Sequence, residues 1–111
     1  MDKQTKEELI KSLHFIHDQI GKQIQITDWL STRGPVYDRH WTRYNRYTFK
    51  LEDFAIRTSG AIASIRGASH HIEFRTDCIK SLTITQEQIT YEINLADRVW
   101  RKLLIDFLVD L

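Results

Sequence analysis

The apolar residues of this chain keep one spacing, then a second, then return to the first, and that order limits what it can fold into. Leu9, Ile10, Leu13, Ile16 and Ile20 recur at helical spacing. From Ile24 onward the apolar residues alternate in short runs, the period of a strand with one face buried. Helical spacing then returns, with Leu95, Ala96, Val99, Trp100, Leu103, Leu104, Phe107, Leu108 and Leu111 on one face and Arg98, Arg101, Lys102 and Asp106 opposite. Each oily stripe needs an apolar surface to cover it, and a sheet with one oily face supplies that surface. The expected fold class is therefore α+β. It has an N-terminal helix, an antiparallel sheet of about four to five short strands and a C-terminal helix, built as a two-layer sandwich or a strongly bent, small barrel-like sheet.

Local signals place the boundaries. Thr5-Lys6-Glu7-Glu8 has the form of a capping box, and Gly21 follows the last apolar position, where a left-handed residue ends helices. The first helix is expected from about Thr5 to Ile20. Lys22 to Leu30 alternates as a strand, with Ile24, Ile26 and Leu30 on one side. Tyr47, Phe49 and Leu51 alternate as well, and after Glu52-Asp53 the parity switches to Phe54 and Ile56, which requires a bulge or tight turn. Residues 61–66 fit a strand or a helical turn. Ile72 and Phe74 mark another strand, and Leu82, Ile84 and Ile89, Tyr91, Ile93 a hairpin around Thr85 to Gln88.

The last segment fits two periods. Odd positions from Val99 to Leu111 are mostly apolar, as in a strand. Asn94 as N-cap, Asp97 near the N-terminus and a length of 17 residues from Leu95 favour a helix. Ile105 and Val109 widen its apolar face, which predicts a homodimer through this helix. A helix followed by a small bent sheet, as in Sm-like barrels, is the nearest named architecture; no motif ties the chain to that family.

A length of 111 residues fits one domain, 1–111, and 41% hydrophobic with 28% charged residues suits a packed core. The single cysteine, Cys78, has no intramolecular partner and fits a reducing compartment. No stretch has the apolar length of a signal peptide core or a membrane span. The expectation is a cytoplasmic protein with no membrane partner.

Net charge is +1, but it is unevenly spread. Residues 33–50 carry Arg33, Arg39, Arg43, Arg46 and Lys50 against Asp38, a balance of +4, and the remaining 11 basic and 14 acidic residues sum to −3. Tyr37, Trp41, Tyr44 and Tyr47 are interleaved with those cations. Arginine presents a planar fork of donors to phosphate, and aromatic faces stack on bases. This composition points to a non-enzymatic protein that binds nucleic acid or a nucleotide-like phosphate ligand. Its ligand-binding residues would be Arg33, Tyr37, Arg39, Trp41, Arg43, Tyr44, Arg46, Tyr47 and Lys50. The alternative is a protein-binding inhibitor or adaptor, of the kind mobile elements and phages encode, with the same segment as its hot spot. A partly exposed strand whose arginines cover its own rings would have the same composition.

Other candidates are weaker. His14 and His17 lie three apart on the first helix beside Asp18, without a Cys or His partner nearby in sequence. His71 and Glu73 share a strand face while His70 points away, which leaves a small hydrolase acting on nucleotides as a third reading. Gly34, Gly60 and Gly67 are isolated and form no phosphate loop. Cys78 follows Asp77, which disfavours its thiolate. No catalytic residue, metal or cofactor is expected.

Overall fold

Backbone hydrogen bonding turns the alternating segments into a ring. The computed structural model describes residues 3–31, 42–57, 59–96 and 98–107, with residues 42–44 described by their backbone alone. Helix α1, Lys3–Asp18, comes first. Eight strands follow among the described residues: β1 Gln23–Ser31, β2 Thr42–Lys50, β3 Asp53–Arg57, β4 Ile62–Arg66, β5 His71–Arg75, β6 Ile79–Ile84, β7 Gln88–Ala96 and β8 Val99–Asp106. They make a five-stranded sheet, β2-β1-β8-β7-β6, and a three-stranded sheet, β3-β4-β5. Every pairing is antiparallel.

The two sheets share two corners. Leu51 donates its N–H to Lys22 O (2.9 Å), extending the β1–β2 ladder, and the next residue, Glu52, donates to Arg66 O on the β4 side (2.9 Å). Here β2 bends into β3, at the position where the sequence parity switches. At the second corner Thr76 donates to Ala61 O (2.9 Å), and Cys78 O accepts from Asn94 N–H on the β7 side (3.0 Å). Counting β2–β3 and β5–β6 as two bent strands, each strand pairs with its successor and β8 pairs with β1. The result is a closed six-stranded meander flattened into two layers, and closure leaves few open edges.

The fold class expected from sequence is corrected by these pairings. There is no C-terminal helix among the described residues, and there are eight strands rather than four or five. Strands β7 and β8 pair as a hairpin, in which Asn94 pairs with Trp100 and Ala96 with Val99. Arg98, in the connection, has a φ of 63°, a left-handed conformation suited to a tight reversal. That turn divides the long segment into two strands of ordinary length, so length does not argue for a helix. The odd positions Leu103, Ile105 and Phe107 are buried, as period two requires. The helix expected to carry a homodimer contact is absent among the described residues; of its apolar residues Ile105 and Phe107 are buried in the core, and Leu104 lies on the outer face.

Alternation fills the interior. Ile24 and Ile26 of β1, Phe49 of β2, Ile65 of β4, Ile72 and Phe74 of β5, and Ile89, Tyr91 and Ile93 of β7 form one apolar cluster with β8. Each fully buried aliphatic side chain contributes roughly 1.5–3 kcal/mol. Helix α1 lies across the gap between the layers, against β3 of one sheet and β6 of the other. Its buried positions are Leu9, Ser12 and Ile16, whereas Ile10 remains 48% exposed. Phe15 meets Phe107 edge-on at 4.9 Å. Ser12 Oγ donates to Leu9 O (2.7 Å), so the Tyr91 hydroxyl, 2.7 Å away, donates to Ser12 Oγ and ties the helix to β7. Burial raises the Tyr91 phenol well above its ordinary pKa, and it stays protonated. Gly67 is required by contact: a Cβ there would lie 2.5 Å from the Phe49 ring and 2.9 Å from Lys50 O.

One ion pair is set into the barrel wall. Arg101 of β8 donates from Nε to Asp28 Oδ1 (2.9 Å) and from Nη2 to Asp28 Oδ2 (2.8 Å). Its Nη1 donates to the Glu73 carbonyl of β5 (2.6 Å), so a single guanidinium joins the two sheets. The side chains are 18% and 10% exposed, too covered for water to replace a lost partner. Arg57–Glu73, by contrast, is about half exposed. Replacing Arg101 with Ala should cost roughly 3–5 kcal/mol in urea unfolding, since Asp28 is left buried and unpaired. Arg57→Ala should cost under about 1 kcal/mol. Equal costs would remove the buried pair from its structural role.

Candidate nucleic-acid interface

The outer face of the five-stranded sheet carries a cluster that the linear segment 33–50 only partly anticipates. Register defines it. Thr27 pairs with Arg46 on one side and Leu104 on the other; Trp29 pairs with Arg43 and Lys102; Ser31 pairs with Trp100. Ile26, Asp28 and Leu103 point inward, so Thr27, Trp29, Trp100, Lys102 and Leu104 share the opposite face with Arg46. The Lys102 ammonium sits 4.7 Å from the centroid of the Trp29 ring. Trp29 and Trp100 are diagonal neighbours on adjacent strands, a relation that spans about 7–8 Å. Both indoles are half-buried, and Thr27, on the same face, is buried.

The residues expected from sequence fall into three groups. Arg46 and Lys50 are exposed on β2 and, by parity with Thr48, lie on the outer face. Thr48 is fixed there by Gln25, whose Nε2 donates to its Oγ1 (3.1 Å). Tyr47 pairs with Ile26 and packs on the core, its ring edge-on to His70 at 5.5 Å. It stands on the opposite side of the sheet from Arg46. Arg43 is placed by backbone opposite Trp29, beside a bulge at Asp28/Trp29 that takes up Tyr44; the side chains of both lie outside the described residues. Arg33, Tyr37, Arg39 and Trp41 also lie outside them.

Charge on this face is not uniform. Arg46 and Lys50 line the β2 side, and Lys102 stands near the middle. Two carboxylates share the face: Glu92, opposite Lys102 on β7, and Asp106, opposite Gln25 on β1 and accepting from Gln88 Nε2 (3.3 Å). Sequence reasoning missed Trp29, Trp100 and Lys102. Trp100 and Lys102 fell on opposite faces of a helix that does not form. Strand alternation from Val99 puts them on one side.

The remaining candidates have other roles in the packing. Ser64 Oγ lies 2.8 Å from His71 Nε2, and Glu73 Oε2 lies 3.9 Å from the same nitrogen. A serine–histidine–acid relay needs the acid on the other ring nitrogen, so this is not one. His70 stacks on Phe49 at 4.8 Å and 9° between planes, closing the β4–β5 turn over β2. His14 and His17 line an apolar groove of about 260 Å³ with Ile10, Leu13, Phe54 and Ile56. Among the described residues no three His, Cys, Asp or Glu side chains gather as a metal would require. No helix there is long and apolar enough to cross a membrane.

No family model, curated protein or solved structure matches the chain at a significant level.

Burial is the main cause that raises the Cys78 thiol above its ordinary pKa, and the adjacent Asp77 carboxylate adds to it. Arg75 holds Asp77 in the ionised form through bonds of 2.9 and 2.6 Å. The thiolate fraction at a given pH is therefore lower than in a free thiol. Iodoacetamide at mildly alkaline pH should modify Cys78 more slowly than it modifies the unfolded chain, and Asp77→Asn should raise the rate. Reaction as fast as in the unfolded chain would contradict this assignment.

Proposed function

We propose that this protein is a non-enzymatic binder of single-stranded nucleic acid. Its surface is the outer face of the five-stranded sheet, extended by the basic aromatic segment 33–50. The observation that carries the reading is the placement of Trp29 and Trp100 as diagonal neighbours beside Arg46 and Lys102. Open sheet faces bearing aromatic residues suit unpaired bases, each of which offers a π face, and the flanking cations suit the phosphates between them. Arg46, Arg43, Arg33, Arg39 and Lys50 would neutralise phosphate, with Trp29 and Trp100 stacking. Tyr37, Trp41 and Tyr44 would supply further rings in this reading, and Tyr47 supports the sheet from beneath.

A protein-binding inhibitor or adaptor is the second reading, and a different feature favours it. The groove between α1 and β3 is almost wholly apolar, and Ile10 and Ile56 at its rim are 48% and 43% exposed. Apolar surface of that kind marks protein contacts more than nucleic-acid contacts.

A salt titration separates the two. Five phosphate contacts on a single strand give a slope of about −3.5 in log affinity against log salt, taking roughly −0.7 for each. Arg46→Ala should flatten the slope by about 0.7 and weaken all sequences alike. Trp100→Ala should cost ~1–3 kcal/mol with little change in slope, because stacking is not ionic. Thermal melts of both variants control for unfolding. Failure to bind any single strand at low salt would overturn the reading and favour the protein partner.

A further inference from the structure

We infer that Lys102 sets the specificity of this surface, by covering the Trp29 ring until a ligand that carries phosphate displaces it; the inference rests on the nucleic-acid reading. The ammonium lies 4.7 Å from the ring centroid. A base stacking on that ring face must occupy the same space. Lys102 and Trp29 are register partners on adjacent strands, so the contact is built into the β1–β8 ladder.

The consequence depends on what the ligand offers in return. A cation over an indole is attracted by its quadrupole, and at a partly exposed site that attraction is equivalent to about a two- to fivefold change in an equilibrium constant. A neutral aromatic ligand breaks the contact and gives the ammonium nothing in exchange. A nucleotide brings a phosphate within reach of the flexible four-carbon stem, and the ammonium passes from ring to phosphate without losing a partner. Glu92, opposite Lys102 on β7, stands on the side away from Trp29. Arg46 and Lys50 lie on the other side, on β2, and favour phosphate there. Lys102 therefore works as a competitor for bases alone and as a contact for bases joined to phosphate.

Two ligands of one base sequence isolate the effect: a DNA oligonucleotide of roughly eight nucleotides, and its methylphosphonate counterpart, which keeps the bases and has a neutral backbone. Lys102→Met retains most of the apolar stem and removes the charge. It should strengthen binding of the neutral-backbone oligonucleotide by about two- to fivefold and, at low salt, where a phosphate contact exceeds the ring contact given up for it, weaken binding of the DNA. Lys102→Arg should restore DNA binding to near the native level. Parallel changes in both affinities, or no change in either, would overturn the role of Lys102 while leaving the binding surface in place. Native protein that binds neither oligonucleotide would overturn the surface itself, and the inference with it.

Discussion

Pairing of β8 with β1 is the interaction on which the rest of the structure depends. It joins the C-terminal strand to the strand that follows the helix and closes the meander. Without it β1 and β8 would each present an unpaired row of backbone groups, and the apolar cluster would lack one wall. Arg101 reinforces the pairing, holding Asp28 on β1 with two hydrogen bonds, and a third to the β5 backbone links this sheet to the other layer. Sealing the ends is left to α1, through Phe15 on Phe107 and Ser12 with Tyr91.

The same pairing creates the candidate binding surface. Trp29 and Lys102 meet because Thr27, Trp29 and Ser31 run opposite Leu104, Lys102 and Trp100 in an unbroken ladder. Backbone hydrogen bonds thus do the positioning, and a site built on strands is held more tightly than one built on a loop. The β1–β2 ladder, in contrast, carries a bulge at Asp28/Trp29, which adds twist and changes the aim of β2 beside the indoles.

Much of the fold was legible in the sequence where one face of an element is apolar and the other polar. Alternation at Ile24–Ile26, at Ile72–Phe74 and at Ile89–Tyr91–Ile93 places those side chains inside, and the parity switch after Leu51 marks a real corner. The helix runs Lys3–Asp18, two residues earlier at each end than the spacing indicates. The last strand was not legible, for a physical reason. Trp100 and Leu104 stand outward with Lys102 and Asp106, and Leu103, Ile105 and Phe107 face inward, so apolar residues occur on both sides of β8 and resemble a broad helical stripe. A strand with apolar residues on its solvent face has reduced periodicity, and such a face is also where a ligand can stack. The feature that obscured the strand is the one on which the proposed site rests. For the basic segment, sequence carried the composition but not the faces: Arg46 and Tyr47 are neighbours in the chain and lie on opposite sides of the sheet.

The most direct test of the account is two-dimensional amide NMR during titration with a short single-stranded oligonucleotide, following the indole N–H signals of the three tryptophans. The account predicts that the Trp29 and Trp100 indoles shift first, with amides of β1, β8 and the Arg46 region, while Ile10, Leu13 and Ile56 around the α1–β3 groove stay in place. Shifts centred on that groove with the Trp29 and Trp100 indoles unmoved, or no shifts at low salt, would contradict it.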